Sequence, residues 1–297
     1  MLPSVSKICS IENQREDGRE LVAKFCPERG MNLLSFTCGE LEAMDQSTVP
    51  LFEQRAAGLG ALIGPHFHHR NKQIVPKIEN PARFTELSNL PIEGVDEPFS
   101  HGIGRYAPWV LEEQSKSHLV ATLSGETLWC EHTLEELEGQ SFTMRYEAKM
   151  TPTGLELTLS IVSEQPSVLG FHFYYALDGD TKAFVEAQVA GHFRDIEGSH
   201  PVSDLFQQDG NKVEFALDRD YDFGFFPAKD PLQAEMILRK KSGDFSVRYE
   251  SVCDENSWQL WHPQGSSFVA IEPLSAKDPR KPHLCVSSLK AYLSFLA

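Results

Sequence analysis

The segment GLELTLSIVS, Gly154–Ser163, sets Leu155, Leu157, Leu159 and Ile161 on one side of an extended chain and Glu156, Thr158 and Ser160 on the other. Side chains of a strand point alternately to its two faces, so this pattern describes a strand with one face in a core and one in water. Segments of the same kind lie on both sides of it. Upstream are HLVATLSG, ETLWCEHTL and SFTMRYEAKM; downstream are LGFHFYYAL, AFVEAQVAG, KVEFAL, AEMILRK, DFSVRYESV, SWQLWHP and SFVAIEP. They are rich in β-branched and aromatic residues and are punctuated by Gly, Pro, Asp, Asn and Ser. Helical periodicity is weak; TLEELEGQ, Thr133–Gln140, reads equally as a short helix or as a turn between strands. The pattern predicts an all-β protein, a large antiparallel β-sandwich, with one domain across residues 1–297 and no internal repeat, linker or low-complexity tract. Gly58–Ser100 differs, being poor in strand runs and rich in Pro, His and Asn, and is expected to form the rim of a binding site.

Lys and Arg number 27 and Asp and Glu 43, a formal charge of −16. Such a surplus of negative charge repels nucleic acid and anionic membrane surfaces, so neither is expected as a partner. The six cysteines form no C-x-x-C pair and predict free thiols in a reducing compartment. No signal-peptide core opens the sequence and no run approaches the ~18 apolar residues of a membrane span, which predicts a cytoplasmic protein; a monomer or homodimer is expected.

Serine-hydrolase, Walker, zincin and dinucleotide motifs are absent, so no cofactor is expected. Histidines, acids and one arginine are left. In GPHFHHRNKQ, His66 and His68 share a face if the segment is extended, but no Cys or carboxylate nearby completes a zinc site, and no metal is expected. Arg70, next to them, reads either as a donor to ligand hydroxyls or as half of an ion pair. His101 sits in the tight aromatic turn PFSHGIGRYAPW, His172 in the apolar strand GFHFYYAL, and Asp222 beside aromatics in DRDYDFGFF. Each is either structural or part of a site. Glu272 ends the apolar run SFVAIEP, where a buried carboxylate is unfavourable unless it is paired or needed. Cys130 and His132, a thiol near an imidazole within one strand-like run, are not accompanied in the sequence by a third residue of triad type and are set aside.

Taken in order, Arg70, SHGIGRYAPW, GFHFYYAL, the aspartate of DYDFGFF and FVAIEP resemble the aldose 1-epimerase (galactose mutarotase) family, including its glucose-6-phosphate 1-epimerase-like branch. CPERGMNLLSFTCGELEAM is similar to the first hairpin of that fold, so the resemblance runs from about Leu21 to the C-terminus. It departs from the family around Arg70, in HFHHRNKQ, and after Glu272, in PLSAKDPRKPH. The resemblance implies a supersandwich with a sugar cleft, in which Glu272 is the general base, His172 the general acid and His101 a second, sugar-binding histidine. Arg70 and Asp222 would grip ring hydroxyls.

The residue types suit that reaction on their own terms. Exchanging the anomers of a hemiacetal requires a base for the anomeric hydroxyl and an acid for the ring oxygen, with no metal, nucleotide or covalent intermediate. The expected ligand is a small sugar or a sugar phosphate. Arg70, Lys72, Lys77 or Arg105 would serve a phosphate. A non-catalytic carbohydrate-binding protein on the same scaffold is the alternative from another class.

Overall fold

A computed structural model describes residues 7–70 and 97–296. Its strands pair antiparallel and form two layers. One layer runs in space through Val110–Gln114, His118–Ser124, Phe142–Thr151, Gly154–Ser163, Val286–Phe295, Phe245–Ser251 and Gln233–Arg239. The other runs through Cys9–Gln14, Glu20–Cys26, Asn32–Cys38, Gly60–Ile63, Gly170–Ala176, Phe268–Leu274, Ser257–His262 and Tyr221–Pro227. The strand Phe184–Arg194 belongs to both. Its first residues pair with Gln233–Arg239 and its last with Tyr221–Pro227, the register shifting between Val189 and Phe193.

Leu155, Leu157, Leu159 and Ile161 are all buried, as their alternation requires. Aromatic contacts between the layers, Phe25 with Tyr146 and Tyr175 with Phe245, fill the space between them. The result is the expected β-sandwich. The adjacent strands Gly170–Ala176 and Phe268–Leu274 are buried at every residue. Their inner face meets the core. Their outer face is roofed by the segments on either side of residues 71–96, and that roof makes a pocket over this sheet.

Three local readings change. ETLWCEHTL is not one strand: Leu128–Trp129 pairs with His132–Thr133 across Cys130 and Glu131, both at positive φ, in a tight reversal. TLEELEGQ holds the helix Leu134–Glu138, closed at one end by a Thr133–Glu136 capping box and at the other by Gly139 at φ 81°. Within Gly58–Ser100, Gly60–Ile63 is a buried strand in the middle of the second layer rather than rim, and Lys72 and Lys77 lie outside the described residues. All six cysteines are free thiols. Among the described residues, no helix is long and apolar enough to cross a membrane.

Candidate functional site

Strand register builds the floor of the site. Gly170 stands opposite Leu274 and Phe173 opposite Ile271, which brings His172 level with Glu272. Glu272 stands opposite Gln259, Gln259 opposite Gly224, and Gly224 opposite Arg194. Two residues along, Trp261 stands opposite Asp222. Because side chains two apart share a face, His172, Tyr174, Glu272, Gln259, Trp261 and Asp222 all project from one side of the sheet. They line a cavity of about 420 Å³, roofed by Phe67, His68, His101 and Tyr106.

At its centre, His172 Nε2 lies 3.5 Å from Glu272 Oε1. The His172 ring stacks on Tyr174 at 4.9 Å and meets His101 edge-on at 5.3 Å. Asp222 Oδ1 accepts a hydrogen bond from Gln259 Nε2 at 2.5 Å. His101 Nδ1 accepts from the backbone N–H of His68 at 3.3 Å, so in the neutral ring the proton belongs on Nε2.

Burial governs the proton affinities here. Glu272 is 1% exposed, and its carboxyl is pushed well above the usual range, first by burial and then by Asp222, with Arg105 opposing. Burial, followed by the positive charge of Arg105, drives His172 well below the usual imidazole range. His101 moves the same way for the same leading reasons, and His68 falls to about 4. The two shifts run towards each other and favour the proton on the carboxyl over the proton on the imidazole. Such a pair can pass protons in both directions.

The expected residues Glu272, His172, His101 and Asp222 thus converge on one cavity. Arg70 does not join them. Its Nε and Nη2 donate to the two oxygens of Glu97 at 2.6 and 2.9 Å, and Nη1 donates to the Glu138 carbonyl. A guanidinium so fully engaged has little left to offer a ligand, and the expectation that Arg70 grips ring hydroxyls is corrected on that ground. His66 and His68 do not share a face either. His66 Nδ1 lies 2.7 Å from Glu138 Oε1, whereas His68, at φ 53°, turns towards His101 and the cavity. Among the described residues, no three His, Cys, Asp or Glu side chains are grouped to hold a metal ion.

Three other arginines, Arg55, Arg105 and Arg280, reach the cavity. Arg105 is 4% exposed, donates through Nε to the Leu62 carbonyl at 3.0 Å, and leaves Nη2 buried without a partner. Arg194 lies over Gly224, where a Cβ would stand 2.4 Å from its Nη2; its Nε and Nη2 are buried and unpaired. Gln259, Trp261 and Tyr174, which line the cavity, were not singled out from the sequence, and neither was Arg194, which lies beside Gly224 without lining it. The signal available for the first two was their alternation in SWQLWHP, which sets both on the face opposite Leu260.

No family model matches the sequence, and no curated protein matches it. Solved structures do match. The Slr1438 protein of Synechocystis sp. PCC 6803 is 16% identical at a TM-score of 0.69, covering 100% of this chain and 98% of that one. A galactose mutarotase-like protein from Lactobacillus casei ATCC 334 is 16% identical at 0.67, covering 98% and 100%. A GalM/aldose epimerase homologue from C. elegans is 15% identical at 0.67, again covering 98% and 100%. At these identities the likeness shows the fold alone, a galactose mutarotase-like β-sandwich across the chain.

Proposed function

We propose that this protein is an aldose 1-epimerase, interconverting the α and β anomers of a hexose by general acid and base catalysis. The observation that carries the reading is the 3.5 Å separation of Glu272 and His172 on neighbouring buried strands. The anomeric hydroxyl and the ring oxygen of a cyclic sugar are bonded to the same carbon. An acid and a base serving both must therefore stand side by side. Burial favours the pair with the proton on Glu272 and a neutral His172; from the charge state that reacts, Glu272 ionised and His172 protonated, Glu272 takes the proton of the anomeric hydroxyl while His172 delivers one to the ring oxygen. The C1–O5 bond breaks and the open-chain aldehyde forms. Rotation about C1–C2 presents the other face of the carbonyl, and closure runs the two transfers in reverse.

His101, neutral with its proton on Nε2, donates to a sugar oxygen next to His172. Asp222 and Gln259 accept from and donate to ring hydroxyls as a linked pair. Trp261 supplies an apolar surface for the C–H face of the ring. The raised proton affinity of Glu272 favours its role, because a carboxylate of ordinary acidity is a weak base at neutral pH. Polarimetry of freshly dissolved α-glucose and α-galactose is the direct test. Equilibration no faster than the spontaneous rate with every aldose tried overturns the reading.

A second reading keeps the reaction and changes the substrate to a hexose 6-phosphate. It is favoured by Arg55, Arg105 and Arg280 in the cavity lining, in a chain that is otherwise strongly acidic. Competitive inhibition by inorganic phosphate supports it. Turnover of free hexose that phosphate leaves untouched counts against it.

A further inference from the structure

Glu138 lies at the end of the helix Leu134–Glu138, away from the cavity lining, yet it is 3% exposed and fully engaged. Its Oε2 accepts from the backbone N–H of Ile103 at 3.2 Å, its Oε1 lies 2.7 Å from His66 Nδ1, and its carbonyl accepts from Arg70. Glu97 repeats the pattern. Its Oε1 accepts from the backbone N–H of Phe99 at 3.0 Å and from Arg70 Nη2, while Oε2 accepts from Arg70 Nε and lies 3.5 Å from His66 Nε2. Phe99 and Ile103 are the residues two before and two after His101. Two buried carboxylates, tied together by one guanidinium and one imidazole, therefore hold both flanks of the turn that carries this histidine.

That turn needs holding. His101 has φ 69° and Gly102 φ 90°. A left-handed backbone at a non-glycine residue is strained and persists only where its surroundings over-determine it. The turn also presses on the segment that supplies His66 and Arg70: His101 N–H donates to the His68 carbonyl at 2.9 Å, and a Cβ on Gly102 would stand 2.1 Å from the Gly64 carbonyl oxygen. Burying two carboxylates is unfavourable by several kcal/mol per ion unless each is paired and hydrogen-bonded, so a cluster of this kind is weak as a device for stability alone. What it does supply is a fixed backbone on either side of His101.

We propose that Glu138 is a positioning residue for His101, acting through the Ile103 amide and through the His66–Arg70–Glu97 cluster to hold the strained turn in the geometry that serves the cavity. The proposal rests on the epimerase reading for its catalytic consequence, but not for its structural one. Replacing Glu138 by Gln keeps the volume and removes the charge that His66 and Arg70 share. It is expected to slacken the turn without emptying the core.

The test is hydrogen exchange on Glu138→Gln, with His66→Gln as a second variant, alongside steady-state anomerisation by polarimetry. The expected result is faster exchange, about tenfold or more, at the amides of Phe99, His101, Gly102 and Ile103, with Gly154–Ser163 unchanged. Alongside it, kcat falls about tenfold or more while KM stays within about threefold, the loss that a misplaced catalytic side chain produces. Unchanged exchange in residues 99–103 overturns the proposal, whatever the kinetics. So does accelerated exchange spread evenly through both sheets, which marks Glu138 as a general stabiliser, or a slackened turn with kcat intact. A wild-type chain that turns over no aldose defeats the epimerase reading alone, and the exchange measurement then decides whether Glu138 holds the turn.

Discussion

Glu272 and His172 face each other at 3.5 Å from adjacent strands that are buried along their whole length, the one with its proton affinity raised and the other with its affinity lowered. On the epimerase reading, replacing Glu272 by Gln removes the base and keeps its shape. Anomerisation is expected to fall about 10²–10⁴-fold, to near the spontaneous rate, with sugar binding retained in calorimetry. The same change is expected to stabilise the fold at neutral pH. A carboxyl whose folded pKa exceeds its unfolded value binds protons more tightly when folded, so its contribution is full below the unfolded pKa and is lost as pH rises through the folded one. Glutamine escapes that loss. Its melting temperature should exceed that of the wild type at pH 7, and the gap should close towards pH 4.

The pH profile follows from the same two shifts. Glu272 works as a base only when ionised, and burial moves that ionisation upward. The limb that reports His172 should therefore lie below the ordinary imidazole range, and the limb that reports Glu272 above the ordinary carboxylate range. Asp222→Asn removes one of the charges that raise Glu272 and should shift that limb downward, which a profile from pH 4 to 9 will register. A wild-type profile with no limb above the ordinary carboxylate range would assign the base to another group.

Arg70 separates what sequence spacing discloses from what it does not. Alternation in GLELTLSIVS and its counterparts gave the sandwich, because burial of one strand face is a local property written every second residue. The same signal runs through Val286–Phe295, where Ser287, Leu289, Ala291, Leu293 and Phe295 are buried, although no strand was expected there. Glu272, His172, His101 and Asp222 were legible as polar residues in apolar or aromatic surroundings. Arg70 sits in an equally suggestive loop, but its partners Glu97 and Glu138 are 27 and 68 residues away, and only the folded chain brings them together. Arg194 was invisible for the complementary reason: its place is defined by a missing side chain, at Gly224 on the next strand.

Arg70→Met should accordingly act on stability first. It leaves Glu97 and Glu138 buried without their cation, and breaking one partner of a buried pair typically costs about 3–5 kcal/mol. Burial pushes the Glu97 carboxyl upward, but its hydrogen bond to Arg70 and the charge of His66 outweigh this and hold it below the usual range. Losing Arg70 should raise Glu97 and make the variant relatively more stable in acid than at neutral pH. Urea denaturation at pH 5 and pH 8 will show whether it does. A loss of sugar affinity with stability unchanged would return Arg70 to the ligand.

Trp261 gives the cleanest separation of binding from chemistry. It is half-buried at the cavity wall, edge-on to His172 and to Tyr174 at 5.7 Å and tilted against Phe268 at 5.4 Å, with Asp222 beside it on the next strand. On the epimerase reading, an indole face there meets the C–H face of a sugar in the closed ring and in the transition state alike. Contacts made equally in both states raise affinity without accelerating the chemical step. Trp261→Ala should therefore weaken binding by about 1–2 kcal/mol, a rise of roughly tenfold in KM, with kcat changed less than about threefold. Wild-type tryptophan fluorescence should change on saturation with sugar, and the variant should lose that component of the signal. A variant whose kcat collapses while KM holds would instead place Trp261 in support of the His172 ring, which it touches, rather than of the ligand.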